Sequence, residues 1–221
     1  MARLVLDREL DTTLIVDDQE DAREAYEDTI EDAQLTPISE PGPVGAGVAT
    51  YYETIRSGPA TAALCDQMLA HRNYAHFEGA ELVAHCIQDG FPAVLCTNYD
   101  ELIDDIRPFR RWIPSLQRPT EMDSEDFVQG LEDCLYEINH GFRPRRRPWR
   151  TLIKVLEVQA NEQRFLLEVP AWSSTVVPLK FRNVPQEILD RLEEDFRCRA
   201  FVNLEAEGLD EIYFCDWQLI P

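Results

Sequence analysis

Three aspartates stand where apolar runs stop. "TLIV" (13–16) ends on Asp17 and Asp18, and "AALC" (62–65) ends on Asp66. Short apolar runs bounded in this way read as buried strands, which places each acid at a strand's carboxyl end. Two further groups hold similar positions: Thr97 follows "AVLC" (93–96), and Arg118 follows "WIPSLQ" (112–117). Three carboxylates brought together repel one another, so one of them retains its proton. A bound Mg²⁺ removes that penalty, because it takes carboxylate, carbonyl and water oxygens as ligands. With the charge screened, the Asp66 carboxylate is a nucleophile toward a phosphoryl group and gives an aspartyl-phosphate. Phosphoryl transfer needs positioning and charge neutralisation above all, and here Thr97 offers a hydroxyl donor and Arg118 a fixed positive charge.

Whether these groups meet depends on the elements between them. Residues 20–34 put Ala22, Tyr26, Ile30 and Ala33 on one helical face. A second strand near 35–39 precedes a helix at about 47–57, and the run ending on Asp66 is the third strand. A helix over 77–89 carries Leu82, Val83, Cys86 and Ile87 inward and stops at Asp89-Gly90. Residues 92–98 and 112–119 read as strands four and five. A last helix, 124–139, faces inward with Phe127, Leu131, Cys134, Leu135 and Ile138. The order predicts a doubly wound α/β fold: five parallel strands with about five helices. In such sheets functional groups gather at the carboxyl ends of the strands, beside the point where strand order reverses, and all five candidates then converge.

The ordered set resembles the receiver domains of two-component response regulators over about residues 12–140. It comprises the acidic pair in "IVDDQEDAR", the strand-end acid in "LCDQML", the hydroxyl in "VLCTN" and the basic residue before proline in "LQRPTE". "FEGAELV" (77–83) is similar to the family's loop into its third helix. The resemblance implies a flavodoxin-like sheet with Asp66 as phosphoacceptor. It also implies an Mg²⁺ held directly by Asp18 and Asp66 and by the Met68 backbone carbonyl, and through water by Asp17. The donor would be a histidine kinase or a phosphotransfer protein. The chain departs from the family pattern in carrying Arg118 where lysine is usual, Ser115 where an aromatic is usual, and Asn98 after the threonine. Arginine is a planar fork and lysine a compact point charge, so the first of these changes is not conservative.

Single members of the set have plainer readings. A lone strand-end aspartate caps a helix or makes a turn, and a lone threonine is an ordinary strand residue. His71, His76 and His85 read as polar surface groups. A haloacid-dehalogenase-type phosphatase needs a second aspartate two positions after the first, where this chain has Gln19 and Glu20, so no enzyme of turnover is expected.

The net charge is −21, and residues 1–142 hold 29 acids against 9 Lys or Arg. Such a field repels nucleic acid unless a local basic surface overrides it. The one basic block, "RPRRRPWR" (143–150), is punctuated by proline and reads as a linker between a receiver-like domain, 1–142, and a second domain, 151–221. Its five arginines are expected to meet an acidic protein surface rather than DNA. Six scattered cysteines form no C-x-x-C pair, so buried reduced thiols are expected rather than disulfides or zinc. No run reaches the length of a membrane span, and the acidic start lacks a signal-peptide layout, which together predict a cytoplasmic protein.

The second domain reads as small and mostly β with one helix, as a partly open barrel or a sandwich. Strands are expected over 151–159, 164–172 and 174–181, a helix over 185–196, and a closing hairpin across Gly208. Trp172, Tyr213, Phe214 and Trp217 are candidates for a partner-binding surface or for the core. The functional expectation is a signalling protein that accepts a phosphoryl group on Asp66 and relays its state to a protein-interaction domain. The alternatives are a phosphorylation-independent pseudo-receiver adaptor and, third, a nucleic-acid-binding regulator.

Overall fold

The computed structural model describes residues 3–98 and 103–220. The chain forms two compact units: Met1–Asn98 with Trp112–Gly141, and Tyr99–Arg111 with Phe142–Pro221. The chain therefore crosses between units three times, where the sequence suggests one crossing at a linker.

The first unit opens with a hairpin absent from the sequence reading, β1 (Arg3–Val5) and β2 (Arg8–Leu10), which turns through Leu6 and Asp7 at positive φ. Next come β3 (Thr12–Val16), α1 (Glu20–Asp32), β4 (Thr36–Glu40), α2 (Val48–Ser57), β5 (Ala62–Asp66), α3 (Gly79–Gln88) and β6 (Ala93–Cys96). The helix α4 (Ile103–Ile106) belongs to the second unit; β7 (Leu116–Gln117) and α5 (Ser124–His140) complete the first. All strand pairs of the main sheet are parallel, in the order β4-β3-β5-β6-β7. Every residue of β3, β5 and β6 is buried, as a parallel sheet requires when helices cover both its faces. α1 lies against α5, and α2 against α3.

The helices bury the faces their periodicity predicts. Tyr26 and Ile30 go inward from α1, Leu82, Val83, Cys86 and Ile87 from α3, and Phe127, Leu131, Cys134 and Leu135 from α5. Each such side chain contributes roughly 1.5–3 kcal/mol. Asp123 caps α5 by accepting from the Glu125 and Asp126 amides, and Asp126 returns a bond to the Asp123 amide. α3 ends where Gly90 takes φ +79, a left-handed turn that side chains disfavour. The fifth strand is shorter than expected. Pro114 and Pro119 bracket it and lack the N–H a ladder needs, which leaves two paired residues. Among the described residues four helices, not about five, belong to this unit, because α4 joins the other.

The second unit is built on one open antiparallel sheet, which replaces the expected barrel or sandwich. β8 (Trp149–Gln159), β9 (Arg164–Val169), β10 (Ser173–Lys180), β11 (Arg197–Val202) and β12 (Phe214–Leu219) pair in the order β10-β9-β8-β11-β12. Alternate residues, among them Ile153, Val155, Phe165, Leu167, Val177, Leu179, Cys198 and Ala200, form its core. Val184, Ile188, Ala206 and Ile212, from the connections, cover that face.

The helix predicted over 185–196 shrinks to α6 (Gln186–Leu189). Beyond it Asp195 takes a left-handed φ of 64°. The Asp195 amide donates to the Val155 carbonyl, and the Val155 amide to the Phe196 carbonyl, so the segment trades helical bonds for pairing with β8. The expected linker is also folded structure. Pro144–Arg146 make a 3₁₀ turn, Arg146 is buried with its guanidinium on the Arg110 and Arg111 carbonyls, and Arg147 lies over the Trp149 ring. The four candidate aromatics are core residues. Tyr213 and Trp217 are buried, Phe214 stacks on Trp217, and Trp172 donates its indole N–H to the Ala206 carbonyl. The cysteines are all free thiols, five of them buried.

Candidate functional site

Strand register decides which residues meet. Val16 lies opposite Cys65, Asp66 opposite Cys96, and Cys96 opposite Gln117. Asp17 and Asp66 therefore leave the sheet at the same level, and Asp18, Thr97 and Arg118 fall one position beyond their neighbours. Carboxylate oxygens of Asp17, Asp18 and Asp66 all lie within 4.8 Å of one another. This is the convergence the sequence predicts for the three acids.

The trio is held by backbone. The Gln19 amide donates to Asp17 Oδ1 at 2.7 Å, and the Met68 amide to Asp66 Oδ2 at 2.7 Å. The loop after Asp66 is pinned from α3: the Gly79 amide donates to the Gln67 carbonyl at 3.0 Å, and the Ala80 amide to Gln67 Oε1 at 2.9 Å. A Cβ on Gly79 would run into the Asp66 carbonyl oxygen and lie 2.8 Å from its carbon, so only glycine fits behind the acid.

Burial governs the electrostatics. Asp17 is 2% and Asp66 8% exposed. Desolvation is the largest influence on both, and raises both from the ordinary carboxylate value. Asp66 is pushed up to about 7, by burial first and then by the Asp17 charge, against the opposing Met68 and Gln67 amides. Near neutral pH it is balanced between acid and carboxylate. The Tyr26 hydroxyl, beside the Cys96 thiol, is driven up by its own burial and further by Asp17 and Asp66.

Two arginines escaped the sequence reading. Arg23, on the second turn of α1, donates to the Asp17 carbonyl at 2.7 Å, and Arg72 Nε stands 3.6 Å from Asp18 Oδ2. Arg72 is the one base in the long loop "AHRNYAH", and that isolation was the available signal. Its side chain is 69% exposed, against 4% for that of Asp18, so solvent screens the pair.

Thr97 is buried beside this group, and its amide donates to the Gln117 carbonyl at 3.0 Å. Arg118 stands two strands from Asp66, with its side chain exposed, and lines an open cleft of about 380 Å³ with Gln117, Glu121 and Asp126. The acids are thus gathered, while Arg118 shares their edge of the sheet at a distance of two strands. His71 and His76 are exposed, and His85 meets the Tyr52 ring edge-on. An all-oxygen, doubly buried anionic cluster fits a hard divalent cation, which would relieve the desolvation and repulsion that raise Asp66.

No protein-family model matches the sequence, and no curated protein matches it. Solved structures do. One is a response regulator receiver domain protein from Clostridium thermocellum, at 12% identity and TM-score 0.44, covering 59% of this chain and 98% of that one. Another is the signal receiver domain of an HD domain-containing protein from Pseudomonas fluorescens Pf-5 (14%, 0.44, 59% and 90%). A third is a CheY-like receiver domain protein from Methanospirillum hungatei JF-1 (18%, 0.43, 59% and 97%). By its strand order, the helices between its strands and the acids at their ends, the first unit has the flavodoxin-like fold of response-regulator receiver domains.

Proposed function

We propose that the first unit accepts a phosphoryl group on Asp66 in an Mg²⁺-dependent reaction, and that its state is passed to the second unit, which acts as a protein-interaction module. The observation that carries this reading is the cluster of three carboxylates within 4.8 Å, two of them buried and raised by that burial. Such a cluster is costly to keep without a cation, and its cost is recovered when one binds. Asp17, Asp18 and Asp66, with the Met68 carbonyl, would hold the ion, which supplies charge neutralisation. The Asp66 carboxylate attacks phosphorus in line with the leaving group of the donor, a histidine kinase or a phosphotransfer protein. Thr97 donates a hydroxyl hydrogen to the transferred group, and Arg118 adds positive charge at the edge of the site. The protein is then an acceptor in a relay rather than a turnover enzyme, and it works where its kinase does, in the cytoplasm. No described helix is long and apolar enough to cross a membrane.

One observation favours a second reading. Arg72 already sets a cation 3.6 Å from Asp18, so the cluster has a partial substitute for a metal, as a phosphorylation-independent adaptor would need. Of the basic block that a nucleic-acid-binding reading would use, Arg146 is buried on backbone carbonyls, while Arg145, Arg147 and Arg150 are exposed. The acceptor and adaptor readings part on covalent chemistry. After incubation with Mg²⁺ and acetyl phosphate, intact-mass spectrometry should find one added phosphoryl group on the wild type and none on Asp66→Asn. A wild type that binds Mg²⁺ and stays unlabelled by any donor supports the adaptor.

A further inference from the structure

The loop between β5 and α3 is firmly built, and it carries a strained arginine beside the acids. Leu69, Tyr74, Ala75 and Phe77 are buried. The Tyr74 hydroxyl donates to the Glu40 carbonyl at 2.8 Å and the Ala75 amide to the Leu69 carbonyl at 2.9 Å, while Phe77 stacks on Tyr51 with ring centroids 5.7 Å apart. Between these anchors Ala70, His71, Arg72 and Asn73 are exposed. Arg72 and Asn73 take φ of +54° and +58°, in the left-handed region. Asparagine adopts that region readily and arginine does not. A turn needed only for its shape is better made with glycine, so arginine is held here at a conformational cost. What it brings is position: Arg72 Nε stands 3.6 Å from Asp18 Oδ2, and carboxylate oxygens of Asp18 and Asp66 lie within 4.8 Å of each other.

Two other bases could serve a phosphoryl group on Asp66, and each is placed worse. Arg23 donates to the Asp17 carbonyl at 2.7 Å and is held there. Arg118 follows a strand two positions from β5, ~10 Å away between backbones, and lines a cleft that it shares with Glu121 and Asp126. The Arg72 side chain is 69% exposed, so it can swing from one anion to another without leaving a cavity.

We propose that Arg72 is the basic residue that meets the phosphoryl group transferred to Asp66, a catalytic role added to those assigned above. The inference rests on the phosphoryl-acceptor reading. In this structure the guanidinium pairs with Asp18. With a divalent cation on the three carboxylates it is repelled from that position, and the negative charge of the incoming phosphoryl group gives it a new partner. When acetyl phosphate is the donor, a bond forms between an Asp66 carboxylate oxygen and phosphorus as the phosphorus–oxygen bond to acetate breaks. Acetate leaves with the electron pair, and no proton moves. What the site must supply is positive charge against the equatorial oxygens, which a guanidinium offers as a planar fork.

The test compares variants of the full chain for Mg²⁺ affinity by titration calorimetry and for the rate of labelling by acetyl phosphate with Mg²⁺, read by intact mass. Arg72→Gln should slow labelling about 10-fold, less than the roughly 10²–10³ lost with an enclosed donor, because the side chain is exposed. It should bind Mg²⁺ as tightly as wild type or more tightly, since a competing cation is gone. A residue that only shaped the loop would weaken Mg²⁺ binding and labelling together. Arg72→Lys, which keeps the charge and loses the fork, should fall between wild type and Arg72→Gln. Arg118→Gln should slow labelling by less than Arg72→Gln does. Beryllium trifluoride, which bonds to a carboxylate oxygen as a tetrahedral stand-in for the phosphoryl group, reads the same contact without transfer, and with Mg²⁺ present its affinity should drop about 10-fold in Arg72→Gln. Labelling of Arg72→Gln at the wild-type rate overturns the inference and leaves the acceptor reading standing. So does Mg²⁺ binding weakened in step with labelling, or a larger loss in Arg118→Gln. An unlabelled wild type overturns the acceptor reading, and this inference with it.

Discussion

Each unit buries a strongly charged site, around Asp66 in the first and around Arg107 in the second, and the two are built on opposite plans. Around Arg107 a single cation has a carboxylate and three carbonyls within reach, all from its own unit, and nothing is left for an incoming group to supply. Around Asp66 three carboxyl groups share a small volume with the Gln19, Gln67 and Met68 amides and with Arg23 and Arg72, and burial still drives Asp66 up to about 7. A satisfied buried charge is a structural fixture, whereas an unsatisfied one is a vacancy for a ligand of opposite sign. The division of charge agrees. The first unit has 25 acids against 6 bases, and the second 17 against 15.

The contrast can be broken from the cationic side, where the largest effect is expected. Arg107→Ala strands three carbonyls and Asp104, and should cost the second unit about 3–5 kcal/mol in a denaturant titration. A loss under about 1 kcal/mol would mean that water replaces the guanidinium and that the site is no fixture.

Next comes the support behind the anionic site. Gly79→Ala forces a methyl group into the Asp66 carbonyl, so the 66–68 loop must shift. We expect a loss of about 2–3 kcal/mol and weaker Mg²⁺ affinity by titration calorimetry. Unchanged affinity would show that the loop geometry does not matter to the cluster.

A smaller effect follows from pH. Burial pushes folded Asp66 up to about 7, whereas an ordinary aspartate titrates near 3.8. Between those values the folded state keeps a proton that the unfolded state has released, so stability falls as pH rises from about 4 to about 7 and is flat above. The loss should be about 2–4 kcal/mol in the absence of divalent cation. Asp66→Asn should flatten the profile, and so should millimolar Mg²⁺. Stability that rises over this range in wild type and variant alike would show that Asp66 is not raised.

Most of the first unit was legible because its signals are local. Apolar runs of four or five residues marked β3, β5 and β6, and helical spacing marked α1, α3 and α5. Strand-end position alone brought Asp17, Asp18 and Asp66 together. What stayed hidden depends on where a short element packs. Nothing in the four residues of α4 says which unit they join, and Arg107 and Arg146 look like solvated charges until carbonyls from distant segments enclose them. The 190–196 stretch has helical composition, yet pairing with β8 outweighed that weak preference. Arg23 and Arg72 were missed because a base beside an acid is informative only once the fold brings them within reach.

The central claim is that Asp66 is where the phosphoryl group goes. Borohydride reduces an acyl phosphate to the alcohol, so a phosphorylated aspartate becomes homoserine at the same position. Treating the Mg²⁺ and acetyl phosphate reaction with borohydride and sequencing peptides by tandem mass spectrometry should reveal homoserine at position 66 and aspartate unchanged at 17 and 18. Homoserine at another position, or none in a protein that binds Mg²⁺, contradicts the account.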